Sequence, residues 1–226
     1  MEKLKINEIF HSIQGEGIDV GKPCVFVRFA GCNLKCAWCD TDFEEVSDEM
    51  SAEELIRHIE ELYVGEKYIV LTGGEPLIQN SEEFERLCLG LRGKGFTVAV
   101  ETNGTISPDK FDAPRLMFNL MAISPKLGSA QNKLSARYTH GAKWSNMTKV
   151  QIKFVIASKD DMTEALKYLH DYKFSQDTVV VFQPEASTGT GGYFDMIRYF
   201  EDEVGFEGIG FEVRFLPQVH KLLDIK

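Results

Sequence analysis

Short apolar runs alternate with amphipathic stretches of helical period along most of this 226-residue chain. The apolar runs are rich in β-branched residues and end in polar turns marked by glycine or proline, a pattern that is typical of buried strands. The predicted strands are Cys24–Phe29, Tyr68–Thr72, Phe96–Val100, Leu116–Ile123, Val150–Ile156, Thr178–Phe182 and Phe211–Leu216. The opening segment Ile6–Ile13 fits either a short strand or one helical turn.

Helical stripes lie between these strands. The sequence Ser51–Glu54 is a capping-box pattern, which predicts the start of a helix. A second helix is predicted to begin at Ser81 and to be stopped by Gly93 and Gly95. Further buried stripes are Met162, Ala165, Leu166, Leu169 and Tyr172, and then Met196, Ile197 and Phe200.

Alternating strands and helices predict a mostly parallel sheet, because each parallel crossover needs a return of helix length. We count about six repeats, and the length falls short of the roughly 250 residues of a full eightfold barrel. We therefore expect a single-domain α/β fold with an incomplete (βα)6 partial barrel. The carboxyl ends of parallel strands share one face, where active sites form.

One connection, residues 127–149, has no clear period and mixes glycine, serine, asparagine and lysine around Trp144. Long irregular connections are often mobile lids or binding loops. A disordered insertion fits the same composition, and the sequence leaves both readings open.

The charge balance limits the partners of the chain. There are 25 basic and 35 acidic residues, and a net charge of −10 disfavours non-specific attraction to DNA, RNA or anionic membranes. Neither a signal-peptide pattern nor an apolar stretch of bilayer-spanning length is visible. We expect a cytoplasmic protein without a nucleic-acid or membrane partner.

Three of the five cysteines, Cys32, Cys36 and Cys39, follow the first core strand within eight residues. Thiolates at this spacing on one loop can converge on an iron-sulfur cube and leave one iron without a protein ligand. Structural zinc more often shows two C-x-x-C pairs, or one pair followed by two histidines. The other two, Cys24 and Cys88, fit small buried hydrophobes.

A second motif, Gly73-Gly74-Glu75-Pro76, ends the second predicted strand. The C-x-x-x-C-x-x-C loop together with this turn resembles the radical S-adenosylmethionine (SAM) superfamily. Flanking segments extend the resemblance over nearly the whole chain to the branch that makes 7-carboxy-7-deazaguanine for queuosine and related 7-deazapurines. These segments are Gln14–Gly17, Cys39–Thr41, Ser124–Lys126 and Leu216–His220.

The resemblance implies a radical SAM carbon-nitrogen lyase with a [4Fe-4S] cluster, S-adenosyl-L-methionine and Mg²⁺. In that family an electron from the cluster cleaves the sulfur-to-C5′ bond of the cofactor. The 5′-deoxyadenosyl radical then takes hydrogen from C6 of 6-carboxy-5,6,7,8-tetrahydropterin, and the ring contracts with loss of ammonia. The resemblance also implies a homodimer, an electron donor such as flavodoxin or ferredoxin, and one core domain over residues 1–226 with short substrate-binding extensions at both ends.

The same resemblance assigns residues by matching motifs, and it assigns no catalytic residue beyond ligands of the cofactors and the substrate. The metal ligands are Cys32, Cys36 and Cys39 for the cluster and Thr41 for Mg²⁺. The cofactor-binding residues are Trp38, Cys39, Asp40, Gly74, Glu75, Asn103, Ser124, Pro125, Lys126 and Gln183. The substrate-binding residues are Ile13, Gln14, Gly15, Glu16, Arg28, Thr72 and His220.

Several of these residues also have plain structural readings. A buried arginine is costly unless it is paired, so Arg28 is either a structural ion pair, for instance with Glu16, or a two-pronged clamp for a substrate carboxylate. The hydroxyl of Thr41 can cap the cysteine loop. The glycines of Gln14–Gly17 suit a simple turn, and a lone histidine such as His220 is more often structural.

Two other functions stay open from the sequence. A small radical SAM enzyme such as a glycyl-radical activase would keep the cysteines and Glu75 but leave Gln14, Arg28 and Thr41 without a role. A zinc-binding or redox module would have no catalysis. Some related enzymes place their terminal carboxylate at the substrate, but here residues 221–226 continue past the last motif, which leaves the role of Lys226 in doubt.

Overall fold

Nine strands and seven helices make up the computed structural model, which describes residues 2–39, 41–132, 139–203 and 209–225. The strands are β1 (Leu4–Ile13), β2 (Pro23–Phe29), β3 (Asp48–Met50), β4 (Tyr68–Gly73), β5 (Thr97–Thr102), β6 (Leu120–Ile123), β7 (Val150–Ile156), β8 (Val179–Pro184) and β9 (Glu212–Phe215). The helices are α1 (Ala52–Leu62), α2 (Ser81–Gly93), α3 (Pro114–Met117), α4 (Gly141–Ser145), α5 (Lys159–Asp171), α6 (Gly189–Glu203) and α7 (Val219–Leu223).

The strands form one open sheet in the order β3-β1-β2-β4-β5-β6-β7-β8-β9. From β2 to β9 every neighbouring pair is parallel, whereas β1 is antiparallel to both β2 and β3. Among the described residues the two ends of the sheet, β3 and β9, share no hydrogen bonds. The prediction of a single α/β domain with a partial barrel is therefore confirmed.

The helix starts follow local sequence chemistry. At α1, the Ser51 hydroxyl accepts from the Glu54 N–H and the Glu54 carboxylate accepts from the Ser51 N–H, so the predicted capping box is present. Helix α2 begins at Ser81 as predicted, with Asn80 as its N-cap. The helix ends at Gly93, and Gly95 takes a positive φ of 82°.

Two elements of the structure need comparison with their predictions. The ambiguous opening segment is a strand, because β1 pairs along its length with β2. The prediction of one strand over Leu116–Ile123 is wrong in its first half, since α3 occupies residues 114–117 and β6 starts only at Leu120. Pro114 at the first helical turn explains the helix, because proline fits that position without losing a hydrogen bond.

The described parts of the irregular connection 127–149 pack against the body of the protein. Trp144 in α4 is fully buried and donates its indole N–H to the Ile106 carbonyl at 3.0 Å. Truncating such a tryptophan to alanine costs about 3–5 kcal/mol, so this part is neither a free lid nor a disordered insertion. Residues 133–138 lie outside the described residues, and the prediction of a lid there stays untested.

The core lies between the helices and one face of the sheet, around aromatic contacts such as Phe29 with Phe84 and Phe154 with Phe182. This packing holds the strands so that the polar turns at their carboxyl ends share one edge. Among the described residues no helix is both long and apolar enough to cross a bilayer.

Candidate active site

A cavity of about 450 Å³ opens where the carboxyl ends of the parallel strands meet. Its wall contains most of the predicted metal, cofactor and substrate residues, which come from six strands or the loops after them and from α7. The predicted residues on the wall are Ile13, Gln14, Gly15, Glu16, Arg28, Cys32, Cys36, Trp38, Cys39, Thr41, Thr72, Gly74, Asn103, Ser124, Lys126, Gln183 and His220. Glu75 and Pro125 lie off this wall, and Asp40 lies outside the described residues.

The three cysteines of the loop after β2 all reach the cavity. The Cys39 N–H donates to the Cys36 carbonyl at 3.2 Å, which turns the loop back on itself. The Leu34 N–H points at the Cys32 sulfur at 3.4 Å. Burial raises the pKa of the Cys32 thiol, so a cation such as iron is needed to hold it as a thiolate.

The donor set fits an iron-sulfur cluster. Within the described ranges no three His, Cys, Asp or Glu side chains are close enough to hold a single metal ion. A structural zinc site gathers four ligands around one ion, whereas the cysteines of a cube each bind their own iron. Three free thiols facing a cavity satisfy that second arrangement.

Gly73 and Gly74 bring the end of β4 against the cysteine loop. A Cβ on Gly74 would overlap the Gly31 carbonyl and approach the Cys32 Cβ to 3.0 Å, and one on Gly73 would overlap the backbone of Phe29. Gly73 also has a φ of 121°, a conformation that only glycine adopts without strain. The Gly74 N–H already donates to the Phe29 carbonyl at 3.1 Å, so this group positions the loop.

Glu75 joins the carboxyl ends of β4 and β5. Its buried carboxylate accepts from the Thr102 hydroxyl at 2.8 Å, from the Asn103 N–H at 2.7 Å and from the Leu77 N–H at 3.0 Å. Burial raises the pKa of Glu75, while these hydrogen bonds and Lys126 oppose that rise. The geometry gives Glu75 a structural task, and its contact with a cofactor stays a prediction.

Trp38, Ser124, Lys126 and Gln183 form a polar wall beside the cysteines. The Lys126 ammonium donates to the Ser124 hydroxyl at 3.1 Å and lies 5.3 Å from the centre of the Trp38 ring. Burial lowers the pKa of Lys126. The indole N–H of Trp38 and the amide oxygen of Gln183 are buried without a hydrogen-bond partner among the described residues, so this wall offers a ligand one donor and one acceptor.

Arg28 faces the cavity from β2. Its Nε lies 3.2 Å from a Glu8 carboxylate oxygen, its Nη1 donates to the Thr41 hydroxyl at 3.4 Å, and its guanidinium lies over the Phe10 ring. The suggested ion pair with Glu16 is wrong, because the antiparallel register of β1 and β2 sets Glu8 opposite Arg28.

Glu16 instead forms an ion pair with Lys153 on β7 and accepts from the Gln218 side-chain amide at 2.6 Å. Burial raises the pKa of Glu16, but the Lys153 charge and the two hydrogen bonds outweigh it and lower the pKa to about 2. Its carboxylate therefore links the loop after β1 to β7 and to the segment before α7.

His220 on α7 packs against the backbone at Gly15. A Cβ at that glycine would overlap the imidazole, and the Val219 N–H donates to the Gly15 carbonyl at 2.9 Å. The tail beyond His220 also takes part, since Lys221, Asp224 and Ile225 lie on the wall. Lys226 is outside the described residues.

Besides the tail, sequence reasoning missed three polar residues at the cavity that hold predicted substrate-binding residues. Glu101 at the end of β5 accepts from the Gln14 amide at 3.0 Å and from the Thr72 hydroxyl at 2.9 Å. Lys153 and Gln218 hold Glu16. A charge within the apolar strand β7 was the available signal for Lys153, as it was for Arg28.

This fold and this site define a class of enzyme. The family described as the radical SAM superfamily matches residues 26–187, and the chain is a radical SAM enzyme. Its superfamily implies a [4Fe-4S] cluster and S-adenosylmethionine, which the free thiols and the polar wall fit.

Similar proteins narrow the class. The 7-carboxy-7-deazaguanine synthase of Thermoplasma acidophilum is 34% identical over 97% of both chains. That of Aquifex aeolicus is 34% identical over 99% of this chain and 94% of its own. The crystal structure of QueE from Escherichia coli shares the fold, with a TM-score of 0.72, 24% identity and coverage of 94% and 93% of the two chains. This chain belongs to the family of 7-carboxy-7-deazaguanine synthases.

Proposed function

We propose that the protein converts 6-carboxy-5,6,7,8-tetrahydropterin to 7-carboxy-7-deazaguanine with loss of ammonia, a step of queuosine and related 7-deazapurine biosynthesis. The observation that carries this proposal is the shared cavity, which sets three cysteines beside groups suited to a carboxypterin. Its volume of about 450 Å³ lies in the usual range for small-molecule sites. When bound, the cluster and S-adenosylmethionine supply a primary carbon radical for hydrogen abstraction.

Different residues of the chain line the cofactor part and the substrate part of this cavity. Cys32, Cys36 and Cys39 hold the cluster, and the wall of Trp38 and Gln183 binds the nucleoside part of S-adenosylmethionine through the unpaired donor and acceptor. Asn103, Ser124 and Lys126 complete that wall from the ends of β5 and β6. A fixed wall of this kind supplies orientation and excludes water.

In this proposal, hydrogen-bond acceptors of the protein recognise the pterin ring. Its amino group and ring N–H groups are donors, and Glu101 presents a carboxylate whose orientation is held by Gln14 and Thr72. Ionised acceptors make stronger hydrogen bonds than neutral ones. At the same cavity Arg28 offers a planar guanidinium to the substrate carboxylate.

Thr41 provides the magnesium ligand in this proposal. Its hydroxyl lies 3.4 Å from Arg28 Nη1, so a divalent cation bound by Thr41 would lie beside a positive charge. A substrate carboxylate placed between the two cations would offset their repulsion. Mg²⁺ keeps several waters and takes few protein ligands, which agrees with a single hydroxyl from the chain.

The two ends of the chain form the substrate-binding extensions of one core domain. The loop 13–17 and the segment 218–225 contact each other through Glu16 with Gln218 and through Gly15 with Val219. We further propose a homodimer that receives electrons from flavodoxin or ferredoxin in a reducing cytoplasm, where an exposed cluster survives.

The test is anaerobic incubation of reconstituted protein with dithionite, S-adenosylmethionine, Mg²⁺ and the carboxypterin, followed by mass spectrometry. We expect 7-carboxy-7-deazaguanine and ammonia. Slow formation of 5′-deoxyadenosine without a deazapurine would reject the substrate and favour another radical SAM activity, such as a glycyl-radical activase. Zinc in place of iron and sulfide after anaerobic purification would reject both enzymes.

A further inference from the structure

The segment after β6 is fastened to the cysteine loop at three points. The Ala37 N–H donates to the Ala130 carbonyl at 3.0 Å, and the Lys35 N–H donates to the Asn132 side-chain oxygen at 3.0 Å. The Asn132 side-chain nitrogen lies 3.1 Å from the Cys36 sulfur. The side-chain amide of Asn132 thus contacts both Lys35 and Cys36 in the middle of the cysteine loop.

The orientation of this amide follows from its neighbours. A backbone N–H can only donate, so the amide oxygen of Asn132 must face Lys35. The NH₂ group is then turned to Cys36 and donates to its sulfur. The residue before it, Gln131, has a left-handed φ of 55°, a conformation that is strained for a residue other than glycine.

A donor at this sulfur acts on a cluster ligand. Hydrogen bonds to the sulfurs of an iron-sulfur cluster stabilise its negative charge, and they do so more strongly in the reduced state because that state carries one more electron. The reduction potential of the cluster therefore rises when such a bond is present. At Cys32 the donor is the main-chain N–H of Leu34, which only a substitution by proline would remove, whereas the donor at Cys36 is a side chain.

We propose that Asn132 is a positioning residue of the cluster, which holds the Cys36 sulfur through its side-chain N–H and raises the reduction potential of the bound [4Fe-4S] couple. This inference rests on the cluster of the proposed function. It adds an outer residue that none of the predicted ligand sets contains.

Two variants separate the hydrogen bond from its surroundings. Asn132→Leu removes the donor with a neutral side chain of similar size. Asn132→Asp keeps an oxygen for the Lys35 N–H, so the loop retains that anchor, but it replaces the donor at Cys36 with an acceptor. The control is Gln131→Gly, which keeps the left-handed turn without a side chain at the neighbouring position.

The measurements are iron and sulfide content, and the midpoint potential of the reconstituted protein in a redox titration followed by electron paramagnetic resonance without S-adenosylmethionine. We expect both Asn132 variants to have more negative midpoints than the wild type and Gln131→Gly to match it. If Asn132→Leu does not retain a cluster, Asn132→Ala serves as the neutral variant without a donor, and an unchanged midpoint with full iron in that variant overturns the inference.

Other outcomes are equally decisive. A wild-type midpoint in Asn132→Leu overturns the inference even if Asn132→Asp shifts, because the added charge alone then explains that shift. A Gln131→Gly midpoint that moves as far as the Asn132 variants also overturns it. If the wild type binds no cluster, the proposed function itself fails. That result differs from a failure of the inference about Asn132, in which the wild type binds a cluster but the midpoints do not shift as expected.

Discussion

Replacing Lys153 by methionine removes the cation that Glu16 contacts within the wall of the cavity. The two side chains are only 12% and 14% exposed, so the remaining carboxylate has little access to water. Breaking such a pair by removing one partner costs about 3–5 kcal/mol. The Gln218 amide stays within hydrogen-bond distance of Glu16, which places the expected loss at the lower end of that range.

The pKa of Glu16 gives a second measure of the same interaction. Its pKa is about 2 in the folded protein against an ordinary value of 4.5, and each unit corresponds to about 1.4 kcal/mol. The difference is thus about 3 kcal/mol of stability, most of which comes from Lys153. At this chain length we expect a fall in Tm of about 6–12 °C at pH 7.

The sign of the pH dependence follows from the lowered pKa. The stabilisation by Glu16 is fully present above its unfolded pKa near 4.5 and is lost as the pH falls through about 2. The gap in Tm between wild type and Lys153→Met should therefore narrow progressively from about pH 5 towards pH 2.

The assay is thermal unfolding followed by circular dichroism on metal-free protein, so that acid does not act through loss of the cluster. The control is Lys167→Met, because Lys167 and Asp171 form an exposed pair within α5 that contributes little to stability. Equal losses of Tm in the two variants at pH 7, or a gap for Lys153→Met that persists at low pH, would refute the reasoning.

Three further variants test the site, each against the wild type under anaerobic conditions. Cys36→Ala should abolish both iron binding and turnover, and retained iron would contradict its role as a cluster ligand. Arg28→Lys should keep the cluster but weaken pterin binding by about 1–3 kcal/mol, since a planar fork becomes a point charge; an unchanged Kd would reject the clamp. Gly74→Ala should destabilise the fold by about 1–3 kcal/mol and lower iron content, because its Cβ would overlap Gly31, whereas Gly93→Ala, with open space around it, should do neither.

The elements that are defined by local pattern could be predicted from the sequence. The run Val150–Ile156 is a strand with the predicted bounds, because a short run rich in β-branched residues is typical of a buried strand. The start of α2 at Ser81 follows from capping chemistry. Where an apolar run crosses an element boundary, as at Leu116–Ile123, periodicity does not separate a short helix from the strand that follows.

The site was predictable as a set of motifs but not as a network. The pairing of Arg28 with Glu8 depends on strand register, and that of Glu16 with Lys153 joins residues far apart in the chain. Motif matching therefore finds the residues that face the cavity, and only the fold shows which partners hold them. Glu75 illustrates the difference, because its carboxylate lies off the cavity wall and accepts hydrogen bonds from Thr102 at the end of β5 and from Asn103 just after it.

The most direct test of the proposed reaction is to follow the hydrogen atom at C6 of the carboxypterin. Protein carrying its cluster would be incubated with dithionite, S-adenosylmethionine, Mg²⁺ and carboxypterin bearing deuterium at C6, and the recovered S-adenosylmethionine, the 5′-deoxyadenosine and the deazapurine would be analysed by mass spectrometry. Because substrate and products are at the same oxidation level, the rearranged radical takes a hydrogen back. We expect deuterium at C5′ of the recovered S-adenosylmethionine and of any 5′-deoxyadenosine released by uncoupled cleavage, and its loss from the deazapurine. Unlabelled 5′-deoxyadenosine, formed at the same rate with and without the pterin, would contradict the proposed reaction.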